Sequence, residues 1–473
     1  MRATVGFLVL TILLTATFAG CVSEPESKGK SARAPIERQG SLSARDPLSP
    51  DFKPHVVVAV IDTGVNPYHS EFAEQYDFDD PSAYIPGYPD DAIPLKLSEF
   101  KSPAAINRDT ADATLWGNTT SRTLYRIEGT KIVGLIGFGG NLPGSGHGTM
   151  TSSRATGNTI SVGGPTVRLV QVVGFTAESV LWAANQPWID ILSISSGITA
   201  GGVAPGPGNV ISMNEMKAFQ EAAHKKPFFA SSGNGVGNVG VLGFPAWTRG
   251  PSGVPDVISV GANDNGKMSL WHNQHSYIVG DGCSNPSATD NTPTRIANTG
   301  GGTSSATPFS AGSAAAFLLE ARRLLGDTHV GVRYSEAPIA SFNSWKSGYD
   351  GDAKVIMAKG NASLHSITEG PLADGVLTMQ EFKDVIYHTA IAGGSEEASD
   401  GAACAGPGGA FVPTQGLPRD VLAQFEGYGE VNGKSITLAK EVLAGAKKNP
   451  VRGGDDTWYN HFYTLRSATM PKT

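Results

Sequence analysis

The 473-residue sequence has few cysteines and few charges: three Cys residues, and Asp, Glu, Lys and Arg together make up only 17% of the chain. Three cysteines are too few for the disulfide framework that holds small secreted scaffolds together. Lys and Arg number 36 against 43 Asp and Glu, and they form no basic cluster. The sequence therefore lacks the positive patch that binds phosphate backbones, which argues against nucleic acid as a partner.

Long apolar runs are also lacking, except at the start of the chain. There Arg2 precedes the apolar stretch Val5–Ala19, which at about 15 residues is too short to span a bilayer comfortably. We therefore expect residues 1–21 to be an export signal. Its end, Phe18-Ala19-Gly20-Cys21, resembles a prokaryotic lipobox, in which Cys21 is acylated and anchors the protein to a membrane. A plain secretory signal is the alternative, because Phe18 replaces the usual Leu.

The rest of the chain divides by composition. Residues 22–54 are rich in Ser, Glu, Lys, Arg and Pro and predict a flexible tether, and residues 448–473 predict a tail. Residues 55–447 predict one domain, interrupted by polar insertions at about 75–130 and 326–374. Cys283 and Cys404 lie in Gly-rich stretches of this domain, and the sequence leaves open whether they pair.

Short apolar runs alternate with helical patterns throughout the predicted domain. The runs are apolar almost without interruption, which is typical of strands covered on both faces. This alternation predicts an α/β fold: a doubly wound, mostly parallel sheet flanked by helices. The predicted strands are His55–Ile61, Ile132–Ile136, Arg168–Val173, Ile189–Ile194, Pro227–Ala230 and Val257–Val260; the predicted helices are Gly148–Ala155, Ser179–Asn185, Met213–His224, Thr307–Leu325, Met379–Thr389 and Leu438–Lys447.

Polar residues where strands end are the first candidates for a site, because ligands of such sheets bind beyond the carboxyl ends of the strands. Asp62 directly follows the first predicted strand and precedes Thr63-Gly64. The Asp-Thr-Gly tripeptide also occurs in aspartic proteases, but those need two such carboxylates and no second one occurs here. Alone, Asp62 could equally cap a strand–loop junction.

His147 lies in the Gly-rich stretch Gly144-Ser145-Gly146-His147-Gly148-Thr149, just before a predicted helix. Glycines on both sides leave the imidazole accessible. Zinc is not favoured, because the chain contains no His-Glu-x-x-His sequence and no His/Cys pair with ligand spacing. By itself, His147 could also be a solvated loop residue.

Ser304 follows three glycines and opens the long apolar stretch that ends at Leu325. A serine at a helix N-terminus can attack a carbonyl while nearby backbone N–H groups face the developing oxyanion. The other interpretation is an ordinary N-cap. Asn234 follows another apolar run in Gly233-Asn234-Gly235 and can act as a second oxyanion donor or as a turn residue. No Gly-x-Ser-x-Gly sequence surrounds Ser304, which disfavours an α/β-hydrolase elbow.

Together these residues resemble the motifs of the subtilisin-like serine proteases, the subtilases, over roughly residues 55–447. Val60-Ile61-Asp62-Thr63-Gly64 is similar to the Asp motif of the family, and His147-Gly148-Thr149 to its His motif. Gly302-Thr303-Ser304-Ser305-Ala306-Thr307-Pro308 is similar to the Ser motif, and Gly233-Asn234 to the oxyanion segment. The chain order Asp62, His147, Ser304 is also that of the family.

The resemblance implies a serine endopeptidase that cleaves polypeptides through an acyl-enzyme. It implies that His147 is the general base, Asp62 its orienting carboxylate, Ser304 the nucleophile and Asn234 an oxyanion donor. It further implies that Ser195, Ser196 and Gly197 line the substrate cleft. The alternatives are a catalytically silent peptide-binding lipoprotein with the same fold, and a sedolisin, which has Glu in place of the His base.

The expected chemistry requires no cofactor. Structural calcium is common in the family, but no ligands are assignable from the sequence, and we expect a monomer located outside the cell or in its envelope. One departure from the family concerns the residues after His147-Gly148-Thr149: the family usually continues with His-Val-Ala-Gly, and this chain has Met150-Thr151-Ser152-Ser153. We expect this change to alter the packing of the helix against the sheet.

Overall fold

The structure is a computed structural model of the whole chain. The residues that it describes are 55–76, 80–97, 116–139, 142–143, 146–196, 213–234, 245–246, 257–264, 267–269, 276–282, 286–289, 293–298, 301–325, 332–333, 377–391, 411–413 and 426–447. The predicted signal, tether and tail, and the cysteines Cys21, Cys283 and Cys404, lie outside these residues.

The apolar runs form strands, as predicted. In β1, Val56–Asp62, all seven residues are shielded from solvent. The other strands are β2 Ile93–Leu95, β3 Tyr125–Ile127, β4 Ile132–Gly137, β5 Val167–Val173, β6 Ile191–Ile194, β7 Phe228–Ser231, β8 Ile258–Asp264, β9 Lys267–Ser269, β10 Ile278–Asp281, β11 Pro286–Ala288, β12 Ile296–Asn298, β13 Val332–Arg333, β14 Leu377–Thr378, β15 Phe411–Pro413 and β16 Glu430–Val431.

Most of these strands belong to one sheet with the order β15-β9-β8-β7-β6-β1-β5-β4-β3-β2, and β10 pairs with β8 and with β16. The six central strands, from β8 to β4, are all parallel, as predicted. The antiparallel pairs β3–β4, β8–β9 and β9–β15 lie toward its two ends. The short strands β2 and β3 fall within the first predicted insertion, so part of that segment extends the sheet.

Six helices are described: α1 Gly146–Thr156, α2 Ala177–Asn185, α3 Met213–Lys225, α4 Thr303–Leu325, α5 Met379–Thr389 and α6 Gly433–Leu443. Within the described residues, none of them combines the length and the apolar character needed to cross a bilayer. Short 3-10 turns occur at Ser70–Phe72, Pro81–Ala83 and Gly164–Thr166.

The helices cover both faces of the sheet. Val56, Val58 and Val60 of β1 belong to a core cluster that includes apolar residues of α1, α4, α5 and α6. The alternate residues Val57 and Ala59 belong to a second cluster with α2 and α3. Because successive side chains of a strand point to opposite faces, β1 is apolar throughout, and the doubly wound prediction is confirmed.

Two helices begin a full turn or more earlier than predicted. Predicted from Leu438, α6 begins at Gly433, because the Asn432 side chain accepts hydrogen bonds from the N–H groups of Lys434 and Ser435. It ends at Leu443, and Gly445 follows with a φ of +71°. Such caps are local signals, and they override the apolar spacing by which the helix was predicted.

The second of these helices, α4, begins at Thr303 instead of Thr307. The carbonyl of Gly302 accepts hydrogen bonds from the N–H groups of Ser305 and Ala306, which forms the first turn. Pro308 therefore lies in the second turn of α4, whereas a helix that began at Thr307 would have it in the first turn. Proline has no N–H, so the Ser304 carbonyl loses its usual helical partner four residues on.

Candidate active site

Asp62 is the last residue of β1, and its side chain is fully buried. Its Oδ1 accepts hydrogen bonds from the backbone N–H of Thr63 (2.7 Å) and from the Thr63 hydroxyl (3.2 Å). Its Oδ2 accepts one from the Thr151 hydroxyl (3.1 Å). A buried carboxylate is costly unless its oxygens are bonded, and here neighbouring groups satisfy both of them.

His147 is the second residue of α1, and its side chain remains 21% exposed. Its Nδ1 lies 2.8 Å from Asp62 Oδ1, across 85 residues of sequence. Burial by itself would lower the pKa of His147, but the Asp62 charge and this hydrogen bond act in the opposite direction, and the pKa is raised above its ordinary value of 6.5. The bond assigns the Nδ1 proton to the Asp62 side, which leaves Nε2 as the basic nitrogen of the neutral ring.

The start of α1 packs closely against the turn that follows β1. The N–H of Gly148 donates to the Thr63 hydroxyl (3.0 Å), and the N–H of Asn66 donates to the Thr149 hydroxyl (2.8 Å). A Cβ at Gly148 would lie only 2.3 Å from the carbonyl oxygen of Gly64 and 2.4 Å from that of Thr63. The glycine after His147 therefore permits an approach that brings the imidazole within reach of Asp62.

Ser304 is the second residue of α4 and is half-buried. Its hydroxyl donates to the carbonyl oxygen of Ser195 (3.0 Å). Because a hydroxyl has one proton, Ser304 does not donate to His147 in this conformation. The backbone N–H of Ser304 is among the first four of the helix, which have no helical acceptor.

Register brings Ser304 to the same edge of the sheet as Asp62. Strands β1 and β6 are parallel neighbours, with Ile61 paired to Ile194, so Asp62 and Ser195 follow at adjacent positions. Neighbouring strands lie about 4.8 Å apart. The carbonyl that accepts the Ser304 hydroxyl thus lies beside the carboxylate that holds His147.

Asn234 lies just beyond β7, and its side chain is exposed. Its Oδ1 accepts hydrogen bonds from the backbone N–H of Thr303 (3.0 Å) and from the Thr303 hydroxyl (2.9 Å). These donors fix the orientation of the amide, because the oxygen must face Thr303. The Nδ2 group then remains as a donor near the start of α4.

Gly302 makes room for this arrangement. Its φ of +129° is unfavourable for residues with a side chain, and a Cβ there would lie 3.0 Å from Asn234 Nδ2. Of the predicted cleft residues, Ser195 is buried and Ser196 is half-buried directly after β6, while Gly197 lies outside the described part of the chain.

Thr151 and Thr303 contact the candidate groups but were not among the site residues predicted from the sequence. Thr151 lies four residues after His147 on α1, which is the spacing that places two side chains on one side of a helix. That spacing is visible in the sequence. The contact of Thr151 with Asp62 is not, because it depends on how α1 packs against the sheet. Thr303 was quoted only as part of a motif, and its contact with Asn234 likewise depends on packing.

Within the described residues, no group of three or more His, Cys, Asp or Glu side chains could hold a metal ion. One cluster of oxygens does surround a cation, but that cation is the buried ammonium of Lys131. It donates to the carbonyl oxygens of Thr156 and Gly164 and to Asn158 Oδ1, and three acceptors match its three protons. Structural calcium therefore stays a prediction without assigned ligands.

Comparison with known proteins gives a family for the chain and several similar structures. A model of the subtilase family matches residues 53–333. No curated protein matches the chain. The solved structure of the prenylagaramide maturation protease PagA has 18% identity and a TM-score of 0.41, and the match covers 83% of this chain and 95% of PagA.

Two further solved structures are similar at comparable levels. The epidermin leader peptide processing serine protease EpiP from Staphylococcus aureus has 15% identity and a TM-score of 0.42, over 82% of this chain and 76% of EpiP. A cold adapted subtilisin-like serine proteinase has 21% identity and a TM-score of 0.33, over 57% of this chain and 78% of its own. Similarity at these levels assigns no substrate to this chain.

Proposed function

The chain belongs to the subtilase family and is a serine-type endopeptidase, and on that premise we propose that Asp62, His147 and Ser304 are its catalytic residues. The observation that carries the proposal is the 2.8 Å hydrogen bond between His147 Nδ1 and the fully buried Asp62 carboxylate. The raised pKa of His147 supports it further, because the imidazolium that forms during catalysis is stabilised there.

The reaction begins with a rotation of the Ser304 side chain. Its hydroxyl leaves the Ser195 carbonyl oxygen and turns toward His147 Nε2. The Oγ then attacks the carbonyl carbon of the scissile peptide bond as its proton passes to Nε2. Asp62 keeps the imidazole in the required tautomer and stabilises its charged form.

The negative charge that develops on the carbonyl oxygen is stabilised by two donors: Asn234 Nδ2, and the backbone N–H of Ser304 at the start of α4. The Thr303 contacts support this role of Asn234 because they hold its amide in one orientation before substrate arrives. When the intermediate collapses, His147 gives its proton to the leaving amine. Water then hydrolyses the acyl-enzyme with His147 again as the base, which restores Ser304.

The substrate is a polypeptide bound in extended form. We propose that the segment Ser195–Gly197 binds its backbone, so that main-chain hydrogen bonds supply affinity and a neighbouring pocket supplies selectivity. With no charge adjacent to Asn234 in Gly233-Asn234-Gly235, an apolar or unselective pocket fits best. We further propose a monomer, and a location outside the cell or on its envelope through Cys21.

The decisive experiment compares the purified protein with its Ser304→Ala variant. Hydrolysis of unfolded casein and labelling by a fluorophosphonate probe are measured on both. We expect the wild type to cleave and to be labelled, and the variant to do neither. Ser313→Ala is a matched control on the same helix: Ser313 lies nine residues after Ser304, and among the described residues its hydroxyl donates to the carbonyl oxygen of Phe309.

Two results would contradict the proposal. Labelling that persists in Ser304→Ala would assign the nucleophile to another residue. A folded wild type that neither labels nor cleaves would favour the alternative, a catalytically silent peptide-binding lipoprotein. Fractionation of Cys21→Ala cells tests the anchor separately, since a lipoprotein loses its membrane association in that variant.

A further inference from the structure

Helix α1 carries a run of polar side chains on its buried surface, directly after His147-Gly148-Thr149. Thr151, Ser152, Ser153 and Arg154 are all almost fully buried. Polar groups are rarely buried without hydrogen-bond partners, and each of these has one at the sheet or at a neighbouring element. The run therefore forms specific contacts beneath the candidate site.

We propose that Thr151 is a positioning residue that fixes the second carboxylate oxygen of Asp62, and through it the orientation of His147. The proposal rests on the proposed function of the Asp62–His147–Ser304 triad. It adds a residue that touches neither substrate nor the reacting atoms.

The two carboxylate oxygens of Asp62 have different hydrogen-bond partners. Oδ1 is bonded to Thr63 and to His147, whereas among the described residues Oδ2 accepts only the Thr151 hydroxyl, at 3.1 Å. A carboxylate held at one oxygen can still turn about its side-chain bonds. A bond at each oxygen fixes the carboxylate plane, and with it the direction of the bond to His147 Nδ1.

Helix geometry explains why Thr151 can do this. His147 and Thr151 are one helical turn apart, so their side chains project from the same side of α1 toward the same carboxylate. Any movement of α1 then shifts both groups together, and both hydrogen bonds to Asp62 are kept.

A second acceptor competes for the Thr151 proton. The hydroxyl also lies 3.2 Å from the carbonyl oxygen of Gly148, the local contact that a helical threonine often makes. Hydrogen bonds to an ionised acceptor are shorter and stronger than those to a neutral one. The carboxylate is therefore the preferred acceptor, and it is also the nearer of the two.

The next residue of α1, Ser152, supports the turn that follows Asp62. The Ser152 hydroxyl donates to Gln171 Oε1 (2.5 Å), and Gln171 Nε2 donates to the carbonyl oxygen of Thr63 (2.5 Å). Gln171 lies on β5, the strand beside β1. Thr151 thus bonds the Asp62 carboxylate, and this relay bonds the backbone of the turn that follows it.

Loss of the Thr151 hydroxyl should shift the pH dependence of kcat/KM in a predictable direction. Its O–H dipole points its positive end at Asp62 and opposes the field that the carboxylate exerts on His147. Without it, that field is stronger, so the acid limb of the kcat/KM profile moves to higher pH. At the same time the carboxylate is less well fixed, so kcat falls.

The test compares four proteins: wild type, Thr151→Ser, Thr151→Ala and Thr151→Val. Serine and alanine differ only by the hydroxyl, and valine keeps the volume of threonine. We expect kcat on a peptide substrate to fall about ten- to a hundredfold in the alanine and valine variants, with KM changed less than about twofold, and serine to restore most of the rate.

An independent readout is the titration of His147 followed by NMR through its Nδ1 proton, which requires no activity. Its midpoint should rise in Thr151→Ala relative to Thr151→Ser. A merely structural role would lower stability without moving that midpoint. Circular dichroism checks that each variant is folded, and if alanine unfolds the protein, the valine variant takes its place.

The outcomes separate this inference from the proposed function. If the wild type cleaves substrate but the serine, alanine and valine variants share its kcat and its His147 titration, Thr151 has no positioning role. If the titration differs between alanine and serine while the wild type cleaves nothing, Thr151 does position the pair and the proposed function is wrong.

Discussion

His147 is governed by two opposing effects at the scale of a single residue. Burial disfavours its charged form, whereas the Asp62 charge and hydrogen bond favour it, and the pKa is raised overall. In the proposed mechanism His147 must be neutral to accept a proton, so activity and stability depend on pH in opposite ways. The pair with protonated His147 stabilises the fold. This contribution is fully present below the pKa that His147 has in the unfolded chain, and it is lost as pH rises through the pKa of His147 in the folded protein.

From this balance we expect kcat/KM to fall as pH drops through an acid limb that lies above 6.5. The pH profile on a small peptide substrate measures it. In Asp62→Asn the raising effects are gone and burial remains, so the limb should move to lower pH as the rate collapses. A wild-type limb at or below 6.5 would show that Asp62 does not govern His147.

Asn234 provides a second prediction at this scale. Asn234→Ala removes Nδ2 and should lower kcat about 10²–10³-fold, a magnitude taken over from the loss of one oxyanion donor in subtilisin. KM should change little, because the donor acts on charge that develops in the transition state. Steady-state kinetics separate the two constants. An effect on KM alone would instead assign Asn234 to ground-state binding of substrate.

At the scale of elements, the contact between α1 and the turn after β1 assembles the Asp62–His147 pair. It depends on Gly148, where the carbonyls of Thr63 and Gly64 lie closer than any side chain permits. The relevant property of the His-Gly-Thr sequence is therefore the absence of a Cβ after the histidine. The same helix reaches α4, since Arg154 donates to the carbonyl oxygens of Ser305 and Asp281.

Gly148→Ala should accordingly push α1 away from the turn. We expect a loss of about 1–3 kcal/mol in the free energy of unfolding, together with a fall in kcat as the Asp62–His147 bond lengthens. Urea denaturation and kinetics measure both. Gly433→Ala in the first turn of α6 is the matched control, because a Cβ there meets nothing within 4 Å. If both variants lose the same stability and activity, the close approach of Gly148 to Thr63 and Gly64 has no special role.

At the scale of the whole molecule, α4 runs from the carboxyl edge of the parallel strands to their amino edge. Its first turn carries Ser304 at the carboxyl edge, and near its last turn Arg322 bonds Asp190 and the carbonyl oxygen of His55. Asp190 also accepts the N–H of Val57 at the start of β1. The helix that carries Ser304 is thus held at its far end by a buried ion pair next to the strand that carries Asp62.

Arg322→Leu should therefore destabilise the fold while it leaves the site chemistry intact. The substitution leaves the Asp190 charge buried without its partner, which costs about 3–5 kcal/mol. Arg323→Leu is the neighbouring control: Arg323 is 40% exposed and pairs with Glu320 on the surface, so its loss should cost about 1 kcal/mol or less. Thermal unfolding distinguishes them. A change in the acid limb of Arg322→Leu would contradict this separation.

Part of this architecture could be predicted because it is written in local patterns. The strand β1 is apolar at every position, since helices cover both of its faces, and such runs are visible in one stretch of sequence. Helix starts were predicted less well: α4 and α6 begin four or five residues before the predicted positions. Apolar spacing marks the buried face of a helix, whereas its first turn is set by a polar cap or a glycine carbonyl.

The residue types that stand where strands end and helices begin can be identified in the sequence alone, and they made Asp62, His147, Ser304 and Asn234 candidates. Which of these residues meet depends on the folded chain. The Asp62–His147 bond joins positions 85 residues apart, and the Ser304 hydroxyl points to Ser195 across 109. Contacts of this kind follow from strand order, register and helix packing, which depend on the whole chain. For that reason the contact between Thr151 on α1 and Asp62 on β1 could not be predicted from the sequence.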